Sequence, residues 1–444
     1  MQRSLAFGSL FAFLALACGK KSEPPSAEPA RTEQAATPAD AGAAAALPVD
    51  ASAPPDDPEA DEPRRGVALA LSTTGKDGKK HARTELLFLR PKSGKWETVA
   101  FDDPTSNAFY KVLSLLSSIE ESQVITFGGD KAAVKGWRRT AAGFTPTAHW
   151  AEKVGVKLDR MRDAELGDVD NNNAIDIVVS THDQGVLAVL KRNPAKLTEW
   201  KVEKLDRAKN TFLEEIELGD LDQDGNLEIY TIPRDAVVPK AGESKGRVLR
   251  YVPSKKEKRT VVVALDDRQA RELLVQDVDG DGKDELYVSV EALMKGEGDA
   301  TELVEGTEIR RYKASTAPDD GEIIARIPDA YCRALTAGDI DGDGHRELVA
   351  ACARTGVWVF QHGGLPEQAW SVQQLDKEPT GLQQAAVLAD LDENGRDELY
   401  VSADDQGEVR RYTWEGGKAA REVIVKRAEG GPPFTTYAIT MVGR

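Results

Sequence analysis

Asp277-Val278-Asp279-Gly280-Asp281-Gly282-Lys283-Asp284-Glu285 is one of five versions of the same nine-residue formula. The others are Asp168-Val-Asp-Asn-Asn-Asn-Ala-Ile-Asp176, Asp220-Leu-Asp-Gln-Asp-Gly-Asn-Leu-Glu228, Asp339-Ile-Asp-Gly-Asp-Gly-His-Arg-Glu347 and Asp390-Leu-Asp-Glu-Asn-Gly-Arg-Asp-Glu398. Each has an acid or amide at positions 1, 3 and 5, a turn former at 6 and a carboxylate at 9. Calcium takes six to eight oxygens at about 2.3–2.6 Å, so a tight loop must aim several carboxylates and a carbonyl at one point. Alternate side chains at 1, 3 and 5, the carbonyl at 7 and the carboxylate at 9 converge in this way while Gly at 6 turns left-handed. The expected ligand sets are Asp168, Asp170, Asn172, Ala174 and Asp176; Asp220, Asp222, Asp224, Asn226 and Glu228; Asp277, Asp279, Asp281, Lys283 and Glu285; Asp339, Asp341, Asp343, His345 and Glu347; and Asp390, Asp392, Asn394, Arg396 and Glu398. Up to five calcium ions are expected. Asn173 replaces Gly in the first copy, and asparagine tolerates the left-handed turn better than most residues.

An EF-hand shares the first six positions but needs Glu at position 12 and a helix on either side. Position 12 here is Val179, Thr231, Val288, Ala350 or Val401. The residues after each loop, such as Ile177-Val-Val-Ser and Leu286-Tyr-Val-Ser-Val, are β-branched and aromatic. The loops therefore join strand to strand. The stretch Gly219-Asp220-Leu-Asp-Gln-Asp-Gly-Asn-Leu-Glu228-Ile and its relatives resemble the FG-GAP, or integrin-α-like (VCBS-like), calcium-binding repeats. The resemblance covers residues 166 to about 427, and implies a β-propeller with a calcium loop in a hairpin of each blade.

Spacing supports that architecture independently. The copies start 52, 57, 62 and 51 residues apart, a period suited to a four-stranded blade. Residues 64–444 hold about seven such periods, with metal-loop blades starting near 166, 218, 275, 337 and 388. Two further blades lack a metal loop. One contains Gln123-Val-Ile-Thr-Phe, Lys135-Gly-Trp-Arg and the strand near Phe144, with Ile119-Glu-Glu-Ser122 where a loop would be. The other, beginning at Val67, is one strand short, and Thr436-Tyr-Ala-Ile-Thr-Met-Val can supply it and close the ring. The expectation is an all-β, seven-bladed β-propeller, preceded by a lipoprotein signal peptide and a disordered linker. Alternating Arg and aromatic residues in Val409-Arg-Arg-Tyr-Thr-Trp are expected to give one solvated and one packed face.

Residues 1–17 have a short basic start and an apolar run from Leu5 to Ala17, and Ala15-Leu-Ala-Cys18 resembles a bacterial lipoprotein cleavage site. That implies lipidation of Cys18, anchorage in the bacterial cell envelope at the outer membrane, on its periplasmic or surface face, and membrane contact through the lipid alone. Residues 18–63, rich in Ala, Pro and acids, read as a disordered tether. The net charge of −17 is largely a metal requirement: eighteen of the 75 acids occupy the ligand positions. It argues against nucleic acid as a partner.

No catalytic set emerges. His81, His149, His182, His345 and His362 have no triad or metal spacing, and neither a phosphate loop nor G-x-S-x-G occurs. The expected function is therefore binding of a protein or glycan ligand without a reaction. An enzyme acting on acidic polysaccharide is the alternative, which a pocket of converging Arg, Lys and Tyr would favour; a purely structural envelope role is the third reading. Loop variation places the binding surface on the face opposite the metal loops, with insertions at Pro233–Arg247 and Glu291–Thr307 and with Tyr110, Phe212, Tyr331 and Tyr437 at the starts of strands. Cys332 and Cys352 flank the fourth loop almost symmetrically, which puts them on paired strands with side chains on one face. Their expected Cα separation is about 4.5 Å, and a disulfide is expected in an exported chain.

Overall fold

The computed structural model describes residues 65–442 apart from 76–77, 91–92, 117–121, 130–131, 141–142, 153–159, 183, 194–195, 208–210, 236–244, 297–301, 364–368, 382 and 416–417. The signal peptide, Cys18, the tether and most of the Ile119–Ser122 segment lie outside the described residues. Among those described, no helix is long and apolar enough to cross a membrane.

Seven antiparallel four-stranded sheets form seven propeller blades. Blade 3 shows the plan. Its innermost strand Met161–Gly167 leads into the first acidic loop, Asp176–Thr181 and Val186–Asn193 follow outward, and Lys196–Arg207 is the outer edge. Blades 2, 4, 5, 6 and 7 span 109–152, 211–264, 270–327, 332–376 and 386–426 in the same order, blade 5 carrying an extra hairpin of Leu293–Lys295 and Glu302–Glu305. Blade 1 takes three strands from 65–103 and its innermost from the C-terminal Phe434–Val442. The ring is thus closed by pairing the two ends of the propeller, which leaves no open edge at the junction.

The second strands are buried on both faces because every blade is sandwiched between two others. Asp176–Thr181, Glu285–Val290, Glu347–Cys352 and Glu398–Ala403 have no exposed residue, so β-branched and aromatic side chains fill both sides without alternation. The core divides into seven apolar clusters, each between neighbouring blades: Phe127 and Trp150 pack on Ile177 and Leu190 between blades 2 and 3, and Leu69 and Leu87 pack on Tyr400 and Leu391 between blades 1 and 7. Close approach of the blades demands glycine at the end of an inner strand. A Cβ on Gly219 would lie 2.1 Å from Cγ1 of Val275 in the next blade.

The alternation read in Val409–Trp414 does not hold. Arg410 is fully buried, bonded to Glu408 at 2.9 Å and Glu378 at 3.0 Å, and Arg411 turns to the fifth acidic loop. A register shift between Val409 and Arg410 redirects the side chains. Cys332 and Cys352 face each other directly across the inner pair of blade 6 and are disulfide-bonded. Their Cα atoms are 3.9 Å apart, closer than the separation expected for a regular pair.

Candidate metal centres and the opposite channel mouth

All five acidic loops join the first and second strands of their blades, so they lie together on one face of the ring. Each is shaped by its own side chains. The position-1 aspartate accepts hydrogen bonds from the backbone ahead of it: Asp220 from the N–H groups of Asp224 and Gly225 at 3.0 and 2.8 Å, Asp339 from Gly342 and Gly344 at 2.7 and 2.9 Å, Asp390 from Asn394 and Gly395 at 3.0 and 2.9 Å. The position-5 side chain accepts from the N–H of position 7, as in Asn172 with Ala174 at 2.8 Å, Asp224 with Asn226 at 2.9 Å, Asp281 with Lys283 at 3.0 Å, Asp343 with His345 at 2.8 Å and Asn394 with Arg396 at 2.9 Å. Positions 4 and 6 both adopt the left-handed conformation, φ being 57° and 64° at Asn171 and Asn173 and 73° and 82° at Gly280 and Gly282. The turn at position 4 has a weak sequence signal, since Gln223 and Glu393 stand there in two loops.

These turns gather carboxylates. Oxygens of Asp277, Asp279, Asp281 and Glu285 lie within 4.8 Å of one another, as do those of Asp168, Asp170 and Asp176; Asp220, Asp222 and Asp224; Asp339, Asp341 and Glu347; and Asp390, Asp392 and Glu398. Glu228 and Asp343 stand outside their clusters. One Glu228 oxygen accepts from the Leu221 N–H and the Tyr230 hydroxyl while the other pairs with Arg250. Glu285 and Glu398 are likewise fixed through one oxygen by Tyr287 at 3.0 Å and Tyr400 at 2.8 Å. Asp170 Oδ1, Asp176 Oδ2 and Glu285 Oε1 are buried without a hydrogen bond. Burial and the neighbouring aspartates push Glu285 and Glu347 up to about 7.

An all-oxygen donor set with orphaned buried carboxylate oxygens fits a hard divalent cation. Basic side chains partly neutralise four of the loops. Lys191 reaches Asp170 at 3.1 Å, Arg250 reaches Asp222, Arg311 and Lys313 reach Asp279 at 2.9 and 2.7 Å, and Arg411 reaches Asp392 at 2.7 Å. No ion pair is made by the ligand carboxylates of the fourth loop among the described residues. That loop has the least protein compensation for its charge.

The opposite face holds the innermost strands' starts, and a feature there was not read from the sequence. Each of six inner strands carries a one-residue bulge at the same level. The extra residue is Tyr437, Tyr110, Arg162, Arg271 or Arg333 in blades 1, 2, 3, 5 and 6, and Glu214 and Glu215 together oppose one partner in blade 4. Bulges re-aim side chains, and here they bring residues of different blades together at the channel mouth. Tyr110 and Tyr437 pack with ring centroids 4.4 Å apart, Arg162 Nε reaches Glu214 at 3.3 Å, and the Arg271 guanidinium lies 5.6 Å from the Tyr331 ring. Phe212 stacks on His182 at 4.2 Å. All four aromatics named from the sequence are therefore at this mouth, alongside three arginines that were not. Their signal was present: Arg162, Glu214, Arg271 and Arg333 each stand six residues before a loop's first aspartate.

His182 is held at both nitrogens. Arg160 can only donate, so Nδ1 accepts from it at 2.9 Å, and Nε2 is 3.3 Å from Glu214. Burial alone would raise the Glu214 carboxyl, but His182 and Arg162 outweigh it and hold it well below the usual range. One layer deeper, Lys111 pairs with Asp163 at 3.0 Å and Glu165 at 2.6 Å. Burial and the crowding of Asp163 and Glu272 push Glu215 well above the carboxylate range, and Glu272 is pushed up to about 8.

A family model described as an FG-GAP-like repeat matches residues 339–401. With the ring of blades, this defines the class: a seven-bladed β-propeller in which residues 339–401 match an FG-GAP-like repeat. Among solved structures, the chain is similar to a protein from Lactobacillus plantarum, with TM-score 0.50 and 11% identity over 85% of this chain and 99% of that one. It is also similar to a putative 6-phosphogluconolactonase from Bacteroides fragilis, with TM-score 0.47 and 12% identity over 87% of this chain and all of that one. At such identities the likeness is one of fold alone. No curated protein matches the chain.

Proposed function

We propose that this chain is a calcium-braced propeller, lipid-anchored to the bacterial cell envelope through Cys18, that binds a protein or glycan ligand on the face opposite its metal loops. Calcium is structural in this reading: the five loops sit on one face, where bound cations would offset the clustered carboxylates and hold the hairpins in shape. The observation that carries the reading is the division of labour between faces, acid loops on one and a mouth of Tyr110, Tyr437, Tyr331 and three arginines on the other. Screening the purified protein against envelope polysaccharides and secreted proteins identifies the ligand, and alanine at Tyr110, Phe212 and Tyr331 together should weaken its binding. Binding untouched by that triple substitution contradicts the placement.

Convergence of Arg and Tyr at the mouth favours a second reading, an enzyme acting on acidic polysaccharide. The chemistry of His182 speaks for binding instead. With Nδ1 accepting from Arg160 and Nε2–H directed to Glu214, the imidazole has no free lone pair for a general base. Incubation with acidic polysaccharides and a reducing-end assay separates the readings.

A further inference from the structure

The three mouth arginines are not equally satisfied. Arg162 is paired with Glu214. Arg271 reaches Glu291 only at 3.4 Å, a carboxylate it shares with Arg234 at 2.9 Å, and its buried Nε has no hydrogen-bond partner. The Arg333 guanidinium makes no hydrogen bond or ion pair among the described residues. Burial, together with the like charges of Arg162 and Arg271, depresses Arg333 to about 9. The carboxyls beneath, Glu215 and Glu272, are pushed toward their neutral forms and so compensate little. Three guanidiniums from blades 3, 5 and 6 thus face two ion-paired carboxylates, Glu214 and the Glu291 that Arg271 shares with Arg234, in a site that burial makes poor in water. Like cations held this close are costly unless an anion joins them.

Resting on the binding role proposed above, we propose that the channel mouth is a carboxylate-binding site, in which Arg271 and Arg333 grip the acid group of a uronic-acid-containing glycan. The planar forks of two guanidiniums suit a carboxylate's paired oxygens. Tyr437, acted on by the charges of Arg162 and Arg160, and Tyr110, packed against it with ring centroids 4.4 Å apart, offer ring surface beside it for the attached sugar. A glycan fits better than a folded protein because the site is recessed: Arg162 and Arg271 side chains are only 11% and 14% exposed, which admits a chain or a single sugar and not a flat protein surface. The bulges explain why the site exists at all, since in a regular strand the residues six before each loop would stay in the ladder.

The test uses the calcium-loaded protein, a panel of uronate oligosaccharides, their carboxyl-reduced neutral counterparts and a glutamate-rich peptide. Calorimetric titration should show binding of at least one uronate, no binding of its reduced form, and a loss of at least about tenfold in each of Arg271→Gln and Arg333→Gln. Without ligand, Arg333→Gln should melt at the same temperature as the parent or higher, because it removes an unpaired cation; a fall of several degrees would make the guanidinium structural and overturn the assignment. Uronates indistinguishable from neutral sugars, no uronate bound, binding of the peptide alone, or full affinity in both arginine variants would each overturn it too. Loss of binding in the Tyr110, Phe212 and Tyr331 triple variant with both arginine variants unaffected would refute this inference while leaving the ligand face in place.

Discussion

Asp339 and Asp397 bind each other reciprocally across the boundary between blades 6 and 7: the Asp339 N–H donates to Asp397 Oδ2 at 2.9 Å, and the Asp397 N–H donates to the Asp339 carbonyl at 2.8 Å. The first aspartate of one metal loop is thereby held by position 8 of the next. Asp284 does the same for Asp220 at 3.3 Å, and Asn171 and Gln223 bridge to Asn226 and to the Gly282 carbonyl. These contacts tie the first loop to the second, the second to the third and the fourth to the fifth in a belt, so a cation bound at one site would steady its linked neighbour.

Asp397→Ala leaves the partly buried Asp339 N–H without its acceptor. The expected cost is about 1–3 kcal/mol, with weaker calcium binding at the fourth loop, although Asp397 is not a ligand there. Calorimetric titration of the variant checks this, and five unchanged sites would refute the belt.

Arg410→Ala should destabilise blade 7 moderately. It removes a fully buried guanidinium bonded to Glu408 at 2.9 Å, while Glu408 keeps Arg421 at 2.9 Å and Lys426 at 2.7 Å, and Asp376 keeps Arg421 at 3.3 Å. Loss of hydrogen bonds to a charged group, with these cations still in place, costs about 1–3 kcal/mol. Chemical denaturation measures the loss, and a change below about 1 kcal/mol would show the cluster to be dispensable.

Most of the architecture was legible because its signal is local and repeated. Alternate acids from Asp277 to Asp281 can serve only a turn that converges oxygens, and a 55-residue period leaves few folds open. The C-terminal strand could be assigned to blade 1 because that blade was visibly one strand short. The mouth was harder. Tyr110, Phe212, Tyr331 and Tyr437 stand out as aromatics at strand starts, but Arg162, Arg271 and Arg333 look like ordinary solvated residues until the bulges turn them inward. Register shifts depend on how a strand pairs with its neighbour in the blade, so the residues of one strand alone do not announce them. Arg410 was misread for the same reason.

Stability at saturating calcium should fall as pH rises from about 5 to 8. Burial and Asp163 raise the Glu272 carboxyl to about 8 against the opposing pull of Arg333, whereas in the unfolded chain it titrates near 4.3. Between those values the native state holds a proton that the unfolded state has lost, so stability decreases with pH. Glu272→Gln should flatten this slope in melting curves taken across the range. An equally steep slope in the variant would mean that other groups set it.

Removing the disulfide by Cys332→Ala with Cys352→Ala should cost roughly 3 kcal/mol, the loop-closure value for a bridge between residues 20 apart. Denaturant titration of parent and variant under oxidising conditions gives the difference, and equal midpoints would deny the bridge a stabilising role.

Calcium dependence of thermal unfolding tests the central claim most directly. At a hundredfold excess over its dissociation constant, each ion that binds only the native form adds about 2.7 kcal/mol, so melting with calcium should lie well above melting with a chelator. Asp279→Ala and Asp341→Ala should each remove one ion from the calorimetric count and narrow that gap, the second more, since among the described residues the fourth loop's ligand carboxylates make no ion pair, whereas Asp279 is paired with Arg311 and Lys313. Identical melting with calcium and with chelator, and no heat of calcium binding, would contradict the reading of the five loops as metal centres.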